Sequence, residues 1–142
     1  MSYPTSYSQA VLILVFVADK IRQGLYEHVP TRAVAESLGI PTPTVAKILQ
    51  SLVRAGYIET QEGAKGGVRL ALPANKISLA DVLHAMELKR PLFQTHQRVR
   101  AKGERPTKAQ AAIQSALTSA EGAMRQSLAQ TSIEQLLTQF GK

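Results

Sequence analysis

No cysteine occurs among the 142 residues. That excludes disulfides, thiol catalysis, cysteine-ligated zinc and cysteine-held iron–sulfur clusters, and it suits a reducing cytoplasm. Long apolar runs are missing too. The longest, Ala10 to Ala18 (AVLILVFVA), spans nine residues, whereas a membrane-spanning helix needs roughly twenty. It also lacks the basic flank and small-residue cleavage site of a signal peptide. The run therefore reads as a buried helix of a soluble, cytoplasmic chain. Histidines are three and scattered. They form no spaced His/Asp/Glu set for a metal, and no nucleophile–base pair suggests an enzyme. Acids are scarce: 10 against 17 bases, for a net charge of +7. Such an excess favours an anionic partner, nucleic acid first.

The excess is uneven. In residues 89–108, Lys89, Arg90, Arg98, Arg100, Lys102, Arg105 and Lys108 stand against Glu104 alone. Ahead of that segment, periodic stretches alternate with punctuation. Ser8 to Gln23 predicts a helix with no internal proline or glycine and Gly24 as its stop. It is apolar nearly all round through Val17, which makes it central to a core. Thr31 can cap a short helix through about Leu38, with Val34, Ala35 and Leu38 on one face. Gly39 supplies the left-handed residue that ends it. Thr42 is a good N-cap and Pro43 suits the first helical position. Val45, Ile48, Leu49 and Leu52 then keep a helical period to about Ala55, and Gly56 is the stop. Two short helices around a glycine-containing turn are the helix-turn-helix pattern. Tyr57–Gln61 and Val68–Leu72 alternate around a turn at Glu62 to Gly67, so a hairpin wing follows directly.

The stretch EGAKGGVRL at 62–70 joins Gly63, Gly66 and Gly67 with Lys65 and Arg69. Glycine plus a cation serves nucleotide loops and wing tips alike. A nucleotide loop runs from strand into helix, so that the helix N-terminus faces phosphate. Here the glycines join strand to strand, and neither the G-x-x-x-x-G-K-[ST] nor the G-x-G-x-x-G spacing occurs. The wing is therefore the reading kept, with a solvated turn as its bland counterpart. The candidate DNA contacts start at the N-terminal end of the second helix, where side chains reach the major groove. They are Thr42, Pro43, Thr44 and Lys47, then Gln50 and Ser51. In the wing they are Lys65, the backbone amides of Gly66 and Gly67, and Arg69. Thr42 can act as a cap, as a phosphate donor, or as both.

Ser78 to Asp81 has the form of a capping box. The helix it starts runs to about Leu88 and buries Leu79, Val82, Leu83 and Met86. Residues 89–106 form a basic loop, either a second contact to DNA or a solvated segment that adds steering. From Thr107 to about Ala129 a long helix is expected. Ile113, Ala116, Leu117, Ala120, Met124 and Leu128 recur along it at three and four, and its alanines let a partner helix come close. Thr131 to Glu134 reads as a second capping box, opening a terminal helix with Ile133, Leu136, Leu137 and Phe140 on one face. The expected fold is mainly α with a small β-hairpin wing. It divides into a winged helix-turn-helix over 1–88, the basic loop over 89–106 and C-terminal dimerisation helices over 107–142.

Three segments in combination carry a resemblance: VAESLGIPTPTVAKILQSLVRAGYI, the wing GAKGGVRLA, and ISLADVLHAME after it. They resemble the Rrf-two family of bacterial winged-helix transcription regulators, which includes the IscR, NsrR and CymR types. A GxxGG wing feeding I-[ST]-L-x-D-V-x-x-A is characteristic of that family. PLFQTHQ followed by a long helix is similar to its YwnA-type branch. The resemblance covers nearly the whole chain. It implies a homodimer joined through the long C-terminal helix, double-stranded DNA as partner, and repression from a palindromic operator. One departure matters. Cluster-binding members carry cysteines in the loop before the long helix, and this loop offers His96 and basic residues instead. An iron–sulfur or thiol switch of the usual type is thereby excluded, and no cofactor is expected. A small-molecule effector held between the DNA-binding unit and the dimer helix, and a permanently competent repressor, both remain open. So does a winged helix that binds protein instead of DNA, for which Lys47 and Lys65 would be dispensable.

Overall fold

The computed structural model describes residues 5–86, 92–93 and 99–140. Helix α1, Thr5–Arg22, runs through the centre. Its Ala10, Ile13, Leu14 and Val17 are sealed completely from solvent, as the nearly continuous apolar run predicts. Helices α2 (Thr31–Leu38) and α3 (Thr42–Arg54) lie against it. They contribute Val34, Ala35, Val45, Ile48, Leu49 and Leu52 to the same core. Gly39 ends α2 in the left-handed region at φ 66°, with its N–H on the Ala35 carbonyl. Strands β1 (Ile58–Gln61) and β2 (Gly67–Leu70) pair antiparallel, with Ile58 opposite Leu70 and Glu59 opposite Arg69. Ile58 and Val68 point into the core. A 3-10 turn at Ala74–Lys76 leads to α4 (Leu79–Met86), followed by α5 (Glu104–Ala129) and α6 (Ile133–Phe140).

Several helix starts differ from the expectation. Neither Thr31 nor Thr42 caps its helix through the side chain. Pro30 and Pro41 hold those positions in extended backbone, near φ −60° and −56°. The Pro30 carbonyl accepts from Val34 N–H at 3.2 Å, and the Pro41 carbonyl accepts from Thr44 and Val45 N–H at 3.0 Å. Proline's fixed φ suits an N-cap as well as a first helical position, and each threonine then becomes the first helical residue. The second capping box lies one residue later than expected. Ser132 Oγ accepts from Gln135 N–H at 3.1 Å, and Ser132 N–H donates to Gln135 Oε1 at 2.8 Å. The Ser78–Asp81 box forms as expected, both of its bonds at 3.0 Å. Helix α5 begins three residues earlier than its expected start, because Pro106 is tolerated in a first turn, where its missing N–H costs nothing.

The C-terminal part does not stand apart as a unit. Ile133 and Leu137 of α6 belong to the core around α1. The starts of α4 and α6 are laced side by side: Leu79 N–H donates to Thr131 O at 2.8 Å, and Ile133 N–H donates to Ile77 O at 2.9 Å. Outside the core, Arg22 donates from both terminal guanidinium nitrogens to the two Glu134 carboxylate oxygens at 2.6 Å. Of the two helices expected to dimerise, α6 thus packs into the winged-helix body. Helix α5 is different. None of its 26 residues is buried. Leu117, Met124 and Leu128 are half-buried, whereas Ala116 and Ala120 are exposed and Ile113 is 57% exposed.

Candidate nucleic-acid interface

Helix α3 buries Val45, Ile48, Leu49 and Leu52, which fixes what its other side shows. Thr42, Pro43, Ala46, Lys47, Gln50 and Arg54 are exposed, and Thr44 is half-buried. Because Pro41 provides the cap, the Thr42 hydroxyl is not spent on the helix. Ser51 fares differently: its hydroxyl donates back to the Lys47 carbonyl at 3.4 Å, and the residue is half-buried. Ala46 was missed by the sequence reading, although it follows Pro43 and precedes Gln50 at helical spacing. Its methyl is the only side-chain atom it has, so it offers shape and apolar contact without a hydrogen bond, as a thymine methyl does.

The wing stands next to this face, since β1 packs on α3. Lys65 is at its tip and exposed. Gly66 and Gly67 are required by their own surroundings. Gly66 N–H donates to Gly63 O at 2.9 Å, closing the turn, so this amide is already engaged. A Cβ on Gly66 would lie 2.2 Å from the Gln61 carbonyl oxygen. Gly67 sits at φ 153°, and a Cβ there would meet the Val29 carbonyl oxygen at 2.3 Å. That approach comes from a bridge the sequence does not announce. Val29 N–H donates to Val68 O at 2.8 Å, and Val68 N–H returns to Val29 O at 2.9 Å. The residue just before the α2 cap is thus stitched to the wing as a third, one-residue strand. Arg69 points outward, opposite Glu59 on the partner strand, and the two form a cross-strand ion pair.

Of the basic segment, Arg100, Lys102, Arg105 and Lys108 are described and exposed. Lys89, Arg90, Arg98 and His96 lie outside the described residues. His28 is buried beside the Val29 bridge, and His84 is exposed on α4. A polar cleft of about 630 Å³ separates Asn75, Lys76 and Asp81 from Gln130, Glu134 and Gln135. Both acids in it are engaged, Asp81 in its capping box and Glu134 with Arg22. The Arg22 guanidinium holds the Glu134 carboxyl below its ordinary range. Tyr57, just before β1, has its hydroxyl pushed up by burial and by the nearby Asp81 carboxylate. No helix among the described residues is long and apolar enough to cross a membrane.

The model of the Rrf2 family, described as iron-dependent transcriptional regulator, matches residues 3–139. Protein aau3 of Rhizobium meliloti is 46% identical over 54 residues, 38% of this chain and 35% of its own length. A candidate HTH-type transcriptional regulator of Synechocystis sp. is 39% identical over 69 residues, 49% of this chain and 47% of its own length. Each match thus spans less than half of the relative. Among solved structures, T. potens IscR superposes with a TM-score of 0.72 at 17% identity, covering 98% of this chain and 88% of that one. CymR (YrzC), the global cysteine regulator of B. subtilis, superposes with a TM-score of 0.67 at 18% identity, covering 97% of both. At such identities the likeness speaks for the winged-helix fold. The donors do not fit an iron centre of the kind the family description implies. The sequence has no thiolate, and among the described residues no three His, Asp or Glu side chains converge.

Proposed function

The chain belongs to the Rrf2 family of transcriptional regulators, and we propose that it is a sequence-specific DNA-binding repressor that works as a cytoplasmic homodimer on a palindromic operator, without an iron–sulfur cluster. The observation that carries this reading is the uncovered face of α3. Thr42, Pro43, Ala46, Lys47 and Gln50 are exposed on one side of a helix whose other side is locked into the core. In a helix-turn-helix that side enters the major groove, and a two-fold dimer sets two such helices about one DNA turn apart. Lys65 at the wing tip adds a phosphate contact that positions the protein without reading sequence. Thr42, its hydroxyl free of capping duty, is a second such donor.

The dimer runs through α5. A helix of 26 residues with none buried has its apolar seam left for another surface, and Ile113, Ala116 and Ala120 form its open part. Leu117, Met124 and Leu128 extend the seam toward the body. The polar cleft between the 3-10 turn and the start of α6 lies where an effector would touch both units.

The test is binding of purified protein to the DNA upstream of its own gene, by fluorescence anisotropy with competitor DNA present. Lys47→Ala is expected to weaken specific binding by about 1–3 kcal/mol, roughly five- to 150-fold, if Lys47 reaches a base edge. Lys65→Ala is expected to weaken specific and non-specific binding alike. Unchanged binding in both variants would favour a winged helix that grips a protein.

A further inference from the structure

The wing is an unusual place to find no net charge. Between Tyr57 and Leu72, two acids, Glu59 and Glu62, match two bases, Lys65 and Arg69, in a chain whose net charge is +7. The hairpin also sorts them. Ile58, Val68 and Leu70 take the inner face, and Glu59 and Arg69 sit directly opposite one another on the outer one. Arg69 Nε donates to Glu59 Oε1, and both side chains are close to half exposed. The cation that faces outward from the strands of the wing is thus held by a carboxylate from the neighbouring strand.

We infer that Glu59 is a positioning residue that restrains Arg69 and so sets how strongly the wing holds the DNA backbone. The inference rests on the DNA-binding reading above. A guanidinium on a carboxylate cannot give the same N–H to a phosphate, and the carboxylate itself repels the phosphate. Contact through Nε–H therefore requires exchange of one anion for another, and contact through the terminal N–H groups brings the phosphate against the Glu59 carboxylate. The net gain is small, and the wing contributes a weak grip. Removing the carboxylate's charge releases Arg69 to the phosphate and with it one more counterion from the DNA. The geometry also explains why nothing in the fold requires the acid. An exposed cross-strand pair adds little to stability.

The experiment uses the full chain and a mixed-sequence duplex of about thirty base pairs, long enough for a dimer that spans two major grooves. No operator is needed, because phosphate contacts are sequence-independent. Affinity is measured by anisotropy across a series of salt concentrations for the parent, Lys47→Ala, Lys65→Ala, Glu59→Gln, Arg69→Ala, and the Glu59→Gln/Arg69→Ala double variant. Thermal unfolding confirms that each is folded. Glu59→Gln is expected to bind about threefold or more tightly at low salt. Its log–log salt slope should steepen by roughly 0.9 for each wing engaged. In the Arg69→Ala background the same change should bring no such gain. An equal gain with and without Arg69 would overturn the proposal, since loss of a charge anywhere on the face would then suffice. An unchanged slope in Glu59→Gln, with Lys47→Ala and Lys65→Ala still weakening binding, would overturn it and leave the DNA-binding reading intact. If Lys47→Ala, Lys65→Ala and Glu59→Gln all leave binding unchanged, both readings fall together.

Discussion

Gly67 answers to two constraints at once, a positive φ and a carbonyl oxygen where a Cβ would be. Gly63 answers only to the first, with open space around it at φ 106°. Gly63→Ala is therefore expected to cost about 1–2 kcal/mol. Gly67→Ala should cost more, roughly 2–4 kcal/mol, because backbone of the Val29–Pro30 segment must shift. Urea denaturation of the two variants measures the difference. The glycines were legible as a hairpin turn, since turn chemistry is local. The reason Gly67 must be glycine was not legible, because its obstacle is a distant residue brought in by the Val29–Val68 bridge. Glu134 gives a prediction with a sign. Arg22 lowers its carboxyl pKa in the folded chain. The pair's stabilising contribution is therefore whole above the unfolded-state value and is lost as pH falls through the folded one. Glu134→Gln should melt below the parent at neutral pH, and the gap should close progressively below about pH 4. A melting series across pH reads it directly, and a constant gap would show that the charge plays no part.

Elements were the best-read level of this chain. The helical period of Val45, Ile48, Leu49 and Leu52 and the alternation of the hairpin are one-dimensional patterns; burial follows the first throughout, and in the hairpin it takes Ile58 and Val68 but leaves Thr60 exposed. Starts were read less well where two residues competed for one role. Pro–Thr occurs before both α2 and α3, and threonine's preference for N-cap positions pointed to the wrong member each time. Among Thr131, Ser132, Glu134 and Gln135, two overlapping boxes of the same form are possible. Backbone bonding of Thr131 O to Leu79 N–H selects the later one. The boxes that form support a prediction: Ser78→Ala and Ser132→Ala should each cost about 1 kcal/mol, visible as small drops in melting temperature. Helix α5 gives another. Ile113 is the large apolar side chain of its seam that stands exposed. Ile113→Glu should convert a dimer to monomers in sedimentation equilibrium while leaving the monomer's helicity intact, since the body does not use this side chain.

At the scale of the whole molecule, the winged-helix architecture was legible because each part announces itself locally and the parts follow one another in order. The return of α6 to the body was not. Its apolar face of Ile133 and Leu137 predicts burial but names no partner, and proximity in sequence pointed to α5. The structure places that face against the core around α1, with Arg22 and Glu134 latched outside it. Truncation after Gln130 is therefore expected to unfold the winged helix and not to free it. Circular dichroism of the truncated chain would show this, and a cooperative native-like melt would contradict it. Ile133→Ala alone should cost about 2–5 kcal/mol. The same arrangement governs the order of events during synthesis. Domains close as their residues leave the ribosome, and here the core of the reading head lacks two of its side chains until residue 137 has emerged. A chain stalled within α5 is thus an incomplete fold exposed to proteases, and it cannot compete at DNA as a half-made regulator.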